Sequence, residues 1–289
     1  MQNKALIITN IILLSCLVVG LVMFMFFGLN NGFTFEMHSK NLLDTKEYAI
    51  TDFSSLKTNL KSYDLRIEES KNSNVTVEVY SSKGKNDIRI ELQNNTLSIN
   101  QVGSTFCFGF CFSSNEIVVY IPKNNQYKFN LKTISGDISV KIPITTPSEI
   151  ETTSGDIYAS FISNGITKST SGEIVIDHTE NMNASTTSGD IIIKKVEQLN
   201  AKSTSGDINI SNLTASGNLK TTSGEINVSE FTIKEDSEMS STSGDITVNL
   251  TNEASVNASS RSGDKDIKYM RNGIHELKLT TTSGDITVR

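Results

Sequence analysis

The sequence has no Trp, only three Pro and three His, and aromatic residues occupy just 7% of its 289 positions. It is also short of positive charge, because 26 Lys and Arg stand against 32 Asp and Glu. The resulting net charge of −6 argues against nucleic acid as the main partner. Hydrophobic residues make up only 37%, yet the chain is too rich in Ile and Val to be disordered. Abundant Ser, Thr and Asn indicate a polar, β-rich, stacked protein with room for one large or two modest domains.

A five-residue phrase, Thr-Ser-Gly-Asp-Ile or a close variant, recurs nine times in the second half of the chain. Its intervals are 19, 17, 17, 17, 18, 20, 19 and 21 residues. A recurrence of this length indicates a solenoid, in which stacked units bury a core that no single unit buries alone. The nine glycines of the phrase are Gly136, Gly155, Gly172, Gly189, Gly206, Gly224, Gly244, Gly263 and Gly284.

Similar residues flank each glycine and predict two strands joined by a corner. Ile stands two positions after the glycine in every copy but one, where Lys265 and Asp266 are read as an insertion before Ile267. Ser or Thr stands three positions before every glycine. The inward positions shift by one residue at Ser-Gly-Asp, as a bulge or sharp corner at a glycine with positive φ would allow.

The predicted fold is therefore all-β, a parallel β-solenoid over residues 129–289 with 17–21 residues per coil. Each coil is expected to run as strand, glycine corner, strand and variable return. Nine coils spaced by about 4.8 Å would give a stack on the order of 40 Å long.

An acidic residue follows every glycine, and in a parallel stack these acids would lie along one edge. In one reading, the acid closes the turn by accepting a backbone N–H group. In the other, the charge itself matters, since Glu occurs here twice and Asn and Ser never do, and the ridge binds cations, Ca²⁺ above all. Neighbouring carboxylates about 4.8 Å apart in water repel by only about 0.9 kcal/mol, so an exposed ridge is tolerable. The acids are Asp137, Asp156, Glu173, Asp190, Asp207, Glu225, Asp245, Asp264 and Asp285.

The longest apolar run, from Ala5 to Leu29, contains no charged residue. At about 1.5 Å per residue it can span a bilayer core of about 30 Å as a helix. It is too long for a cleaved signal peptide and lacks a small-residue cleavage site. Leu13-Leu14-Ser15-Cys16 loosely resembles a lipobox, but the apolar run continues well beyond Cys16. The sequence thus predicts one uncleaved transmembrane helix over residues 5–29.

The segments around this helix give the predicted topology. Lys4 in the short N-terminus favours residues 1–4 in the cytoplasm and everything after Asn30 outside it. Residues 30–48 lack periodicity and are predicted to be a linker. Residues 49–128 contain alternating segments without the repeat phrase, predicted to be strands that cap the first coil.

A phenylalanine-rich segment at residues 105–112 interrupts this region and places Phe at alternate positions with Cys107, Gly109 and Cys111. It is either a core strand or hairpin tip, or an exposed aromatic patch that contacts membrane or a partner. Residues four apart in a strand lie about 13 Å apart, so a Cys107–Cys111 disulfide requires a tight turn at Gly109. A C-x3-C pair without a second ligand pair is a poor metal site.

The T-S-G-D-I repeats behind an apolar N-terminal segment, with Ile121-Pro122 before the first repeat, resemble a bacterial putative-adhesin family of unknown function. The resemblance covers about residues 60–289. It implies an envelope-associated β-solenoid and brings no catalytic residues with it.

Three functions remain open from the sequence. The first is a non-enzymatic, membrane-anchored extracytoplasmic solenoid that binds a surface glycan or protein, or scaffolds the envelope. The second is a self-assembling structural or envelope-stress-related scaffold that pairs through the edge of the C-terminal coil at Arg289. The third is a carbohydrate-active enzyme of the β-helix type. Acids spread evenly along the chain disfavour it, and a local site would be sought in the irregular copy at residues 261–266.

Overall fold

The computed structural model describes residues 40–82, 87–103, 115–123, 126–268 and 273–289. Residues 1–4, the predicted anchor at 5–29 and the pair Cys107 and Cys111 lie outside the described residues, so the expectations for them stay predictions. Across the described ranges, no helix is long and apolar enough to cross a bilayer. Regular structure in these ranges consists of strands and one short 3-10 helix, Ile50–Asp52.

Seven strands of the described residues precede the repeats and cover one end of the stack. They are β1 (Asn41–Ala49), β2 (Ser55–Asn59), β3 (Asp64–Glu69), β4 (Asn74–Ser81), β5 (Ile88–Gln93), β6 (Thr96–Gln101) and β7 (Asn115–Ile121). β1 pairs antiparallel with β4, β4 antiparallel with β7, and β5 antiparallel with β6. β2 and β3 pair in parallel with the strands that follow, so the change from antiparallel to parallel pairing occurs within this cap.

The cap begins earlier in the chain than the sequence predicted. Residues 41–48, assigned there to a linker, form most of β1 and pair with β4 from Asn41↔Ser81 to Ala49↔Asn74. The pairing contains an irregularity between Leu42 and Asp44, which shifts the side-chain alternation. A strand at the edge of a sheet with a mixed, largely exposed face carries little periodicity for sequence reasoning to detect.

The repeat region is a parallel β-solenoid, as predicted, because every strand pair described within it is parallel. Equivalent residues of successive repeats face each other across neighbouring coils, for example Ile174 and Ile191. Its strands are β8 (Lys128–Lys132), β9 (Ile138–Ile144), β10 (Ser148–Glu151), β11 (Ile157–Lys168), β12 (Ile174–Ser185), β13 (Ile191–Lys202), β14 (Ile208–Lys220), β15 (Ile226–Phe231), β16 (Ser237–Ser241), β17 (Ile246–Leu250), β18 (Ser255–Ser260), β19 (Lys265–Ile267), β20 (Glu276–Thr281) and β21 (Ile286–Val288).

Each central coil has three sides instead of two strands and a variable return. β13 runs without interruption from one glycine corner to the next, and it buries Ile191, Ile193, Val196, Leu199 and Ala201. Ile191 and Ile193 are two residues apart, as are Leu199 and Ala201, which is the spacing along a strand. Val196 is three residues from Ile193 and three from Leu199, and these two longer steps mark two further bends. The expected variable return is thus a side of the coil with its own buried residue, and its period of three hid it from a search for alternation.

The core consists of columns of β-branched side chains that stack from coil to coil. Ile157, Ile174, Ile191, Ile208 and Ile226 are paired in register, and each is 0% exposed. Burying one such side chain contributes roughly 1.5–3 kcal/mol, and a neighbouring coil is needed to complete the burial.

At the C-terminal end, the coils do not stack in sequence order. β21 pairs with β17 on one side and with β19 on the other, and β20 lies in the same way between β16 and β18. The Gly284 copy therefore lies inside the stack, and the Gly263 copy forms its last layer. The expectation that the edge of the final copy ends the stack is wrong on this point.

Apolar content explains which copy is buried. Leu277 and Leu279 are 0% exposed and lie opposite Val256 and Ala258, which are only partly buried. The more apolar copy thus occupies the layer with a neighbour on each side. The supposed insertion in the Gly263 copy is also absent, since Lys265 lies directly opposite Ile286 in the Ile column. An end layer leaves that column exposed, so a lysine is tolerated there.

Candidate functional site

The glycine corners are required because successive coils approach closely. A Cβ atom added at Gly189 would lie 2.0 Å from the carbonyl oxygen of Gly172, and the nine corners give 1.8–2.3 Å for the equivalent contact. None of the nine adopts a left-handed φ. The predicted reason for glycine, a positive φ, is therefore wrong, and the prediction of a corner is right.

The Ser/Thr column links each corner to the one before it. The Ser203 hydroxyl accepts a hydrogen bond from the Gly206 N–H (2.8 Å) and donates one to the Gly189 carbonyl (3.4 Å). Ser169 and Thr221 do the same in their own coils. These buried hydroxyls satisfy backbone groups that a strand ladder leaves unpaired at a corner.

The acidic column is a second ladder along the stack. In seven places an Asp Oδ1 accepts the backbone N–H of the acidic residue in the next layer, at 2.7–3.1 Å. The hydrogen-bonding reading is thus supported, although the bond joins two coils and does not close a turn within one. Among the described residues, no group of three or more His, Cys, Asp or Glu is placed to hold a metal ion. A cation ridge stays a prediction.

The first layer of the stack carries a residue that sequence reasoning missed. Lys61-Ser62-Tyr63-Asp64-Leu65 is the repeat phrase with Tyr in place of Gly, and Gly136 stacks on the Tyr63 carbonyl. The Tyr63 hydroxyl donates to Asp87 Oδ1 at 2.7 Å, and burial followed by this bond raises the pKa of the phenol. No glycine corner precedes this one, so a side chain is tolerated there. The Ser and Asp neighbours were the available signal.

Asp64 begins the acidic ladder and gives a pH-dependent prediction. Its pKa is raised, first by burial and then by the nearby Asp137 and Glu116, whereas the Asp137 N–H bond and Lys40 lower it. A carboxyl group whose pKa is raised in the folded state contributes stability below its unfolded pKa and loses it as pH rises through the folded value.

We therefore expect Asp64→Asn, which keeps the acceptor oxygen and removes the charge, to raise Tm at pH 7. The expected gain is only about 1–3 °C, because solvent screens the half-buried charge. The gain should vanish near pH 3, where the carboxyl is protonated. Thermal denaturation of the full chain at both pH values measures this. Asp156→Asn, at an exposed position with the same type of bond, is the control. An equal gain for both variants, or a gain that persists in acid, would contradict the role of burial.

A long groove runs along the side of the stack that precedes the glycine corners, with a volume of about 960 Å³. Its two walls are columns of outward-facing side chains, one formed by the residues eight positions before each corner glycine and the other by the residues six positions before it. The residues seven positions before the glycines form its floor. It crosses eight coils, or about 34 Å at the spacing of neighbouring strands. We call it the amide groove, and its walls are Lys128, Pro147, Asn164, Asn181, Gln198, Ser216, Asp236 and Glu276 on one side and Asn130, Glu149, Ile166, Asn183, Asn200, Asn218, Glu238 and Lys278 on the other.

Side-chain amides dominate the middle of this groove and bond to one another along the stack. Asn181 Nδ2 donates to Asn164 Oδ1, and Asn200 Nδ2 donates to Asn183 Oδ1, both at 3.0 Å. An amide has two N–H donors and an oxygen with two lone pairs, so Asn181 and Asn183 keep hydrogen-bonding capacity beyond the ladder, whereas Oδ1 of Asn200 is buried. The groove therefore offers donors and acceptors at the repeat of the coils.

The carboxylates of the groove lie at its two ends, with Glu149 at one end and Asp236, Glu238 and Glu276 at the other. Glu149 lies 3.6 Å from both Lys132 and Lys168, and Glu238 lies 2.8 Å from Lys278. Asp236 Oδ1 accepts the Glu276 N–H at 2.8 Å. The irregular copy at residues 261–266 contributes nothing to the groove.

The fold and groove define a parallel β-solenoid with a groove along one side, and the comparison with known families agrees with the fold. The chain belongs to the Toastrack DUF4097 family, which matches residues 53–289. This bears out the resemblance to a family of adhesin-like proteins of unknown function. No curated protein matches the chain.

Solved structures of bacterial proteins are similar to this chain at low sequence identity. A "putative adhesin" from Parabacteroides distasonis is 15% identical, with a TM-score of 0.40, covering 86% of this chain and 98% of its own. A "putative lipid binding protein" from the same organism is 21% identical, with a TM-score of 0.41 and coverage of 85% and 96%. A "putative adhesin" from Bacteroides fragilis is 16% identical, with a TM-score of 0.40 and coverage of 87% and 99%.

Proposed function

We propose that the chain is a non-enzymatic binding protein of the bacterial envelope, and that the amide groove holds an extended surface polymer. Residues 5–29 anchor it in the membrane, and the residues after Asn30 lie outside the cytoplasm. The observation that carries the proposal is the groove itself, which has at least one side-chain amide in each of four consecutive coils. A site of that length and regularity fits a repeating polymer better than a compact small molecule.

Self-assembly through the end of the stack has less support. β18 and β19 form the outermost layer, and within the part of the chain that the structure describes each is paired on one side only. That layer exposes Arg261, Asp264, Lys265, Asp266 and Lys268. Charges on an exposed edge are a common means of preventing edge-to-edge association.

The proposal predicts a loss of envelope binding when the groove loses amides. The double variant Asn181→Ala/Asn183→Ala removes two groove side chains, and at roughly 0.5–1.5 kcal/mol for each hydrogen bond we expect binding to fall about tenfold. Co-sedimentation of the purified full chain with isolated envelope polymer measures the effect.

A matched control lies on another side of the coil. Asn227 Nδ2 donates to Asn209 Oδ1 at 3.2 Å, in the same kind of amide ladder, and both residues are outside the groove. Asn209→Ala/Asn227→Ala should leave binding within about twofold of the unmodified chain. Equal losses in the two double variants would mean that binding does not depend on the groove. Protease treatment of intact cells tests the proposed topology. If the repeat region survives this treatment uncleaved, that result would place the repeat region inside the cell.

A further inference from the structure

We infer that the ligand of the amide groove is a linear, uncharged glycan that lies along the stack with about one sugar per coil. The inference rests on the proposed function and specifies the ligand class of the same site. Three properties of the groove support it: the distribution of charge, the state of the backbone and the repeat distance.

The charged side chains that line the groove lie at its two ends. Lys128 and Glu149 lie at the cap end, and Asp236, Glu238, Glu276 and Lys278 lie at the other. Between them, the walls carry only amides, one hydroxyl and one apolar side chain: Asn164, Ile166, Asn181, Asn183, Gln198, Asn200, Ser216 and Asn218. The Glu235 carboxylate lies just outside this lining and accepts hydrogen bonds from Gln198 Nε2 (3.1 Å) and Ser216 Oγ (3.2 Å), so the nearest charge to this section is negative. An anionic polymer would need cations along this middle section, and Lys202 and Lys220 in the next outward column are outside the lining.

The backbone of these coils is not available to a polypeptide ligand. An extended peptide usually binds a sheet by adding a strand, which needs unpaired N–H and C=O groups. β11 to β14 are paired on both sides, from Ile157↔Ile174 through Lys202↔Lys220. A ligand in the groove therefore meets side chains on the face of a sheet, and it must supply hydrogen-bonding groups of its own along its length.

Neutral sugars supply such groups at a matching interval. A hydroxyl both donates and accepts, so vicinal hydroxyls pair with the donor and acceptor of one amide. The amides recur about every 4.8 Å, which is comparable to the length of one sugar in an extended β-linked chain. Ile166, 39% exposed, offers the C–H face of a sugar ring an apolar contact within the groove.

The test is calorimetric titration of the full chain with β-1,4-linked oligomers of glucose and of N-acetylglucosamine of increasing length. Affinity should rise with each added sugar and level off at about four, the number of coils in the uncharged section. Because no charges pair, raising the salt from about 0.05 M to about 0.5 M should change affinity less than about twofold. Asn181→Ala/Asn183→Ala should weaken binding about tenfold, and Asn209→Ala/Asn227→Ala should not.

Titrations with charged oligomers, one of a uronic acid and one of a polyol phosphate, test whether the ligand is instead an anionic polymer. Tighter, salt-sensitive binding of either would overturn the assignment of an uncharged glycan. If neutral oligomers fail to bind while the groove variant still loses envelope binding, the ligand class is wrong and the proposed function stands. If the groove variant keeps full envelope binding, the proposed function itself fails.

Discussion

Replacing Gly189 with Ala is expected to be among the most damaging single changes in this chain. The new Cβ would lie 2.0 Å from the Gly172 carbonyl oxygen, a backbone atom fixed by the coil beneath it. Neither corner can move away, because each is held by coils on both sides. We expect a loss of at least about 4 kcal/mol in the free energy of unfolding, measured by denaturant titration followed by circular dichroism.

Gly263→Ala is the matched control for this effect. Its Cβ would lie 2.1 Å from the Gly284 carbonyl oxygen, but Gly263 is in the exposed end layer, which can shift without disturbing a coil beyond it. A loss below about 2 kcal/mol is expected there. If both alanines cost the same, close approach of stacked coils would not be the reason for the glycine.

Deleting residues 276–289 is expected to remove two layers of the solenoid, although it removes only one repeat copy. β20 and β21 fill the layer between the Gly244 and Gly263 copies. Four of their side chains, Leu277, Leu279, Ile286 and Val288, are 0% exposed. At about 1.5–3 kcal/mol each, their loss removes roughly 6–12 kcal/mol of apolar burial. Limited proteolysis should then show cleavage throughout residues 253–268, which lose their parallel partners.

A pair of point substitutions separates the two possible stacking orders without a deletion. Leu279 and Ala258 lie opposite each other, as do Leu277 and Val256. We expect Leu279→Ala to cost about 2–5 kcal/mol, the range for a buried leucine. Val256→Ala, in the end layer, should cost less than about 1 kcal/mol because its side chain is only partly buried. The reverse ranking would place the Gly263 copy inside the stack and contradict the order described above.

The repeat phrase made the fold class predictable because each of its residues has one physical task in every coil. Ile191 and its equivalents fill the core column, Ser203 and its equivalents satisfy the corner, and the glycines mark its position. The same logic failed at the first corner, where Tyr63 replaces glycine. No corner precedes this layer, so glycine is not required there, and a search for glycine does not find it. It failed again at β1, whose edge position leaves no clear alternation.

The amide groove could not be found from the sequence, although its side chains were visible there. Asn181 and Asn183 are 17 residues from Gln198 and Asn200, and only the register of the coils makes them neighbours. In isolation, Asn between strands is read as a turn residue. In the stacked coils, amide side chains at equivalent positions of neighbouring layers form one continuous surface.

The sequence by itself determined the parallel solenoid, its glycine corners and its inward columns, because these depend on periodicity along the chain. The tertiary structure alone decided the three-sided coil, the reason for glycine at the corner and the position of the C-terminal copy. Nearly identical repeats can pair with one another in any order, so local pattern does not choose between neighbours. Burial does, and it places Leu277 and Leu279 inside while the charged Gly263 copy closes the stack.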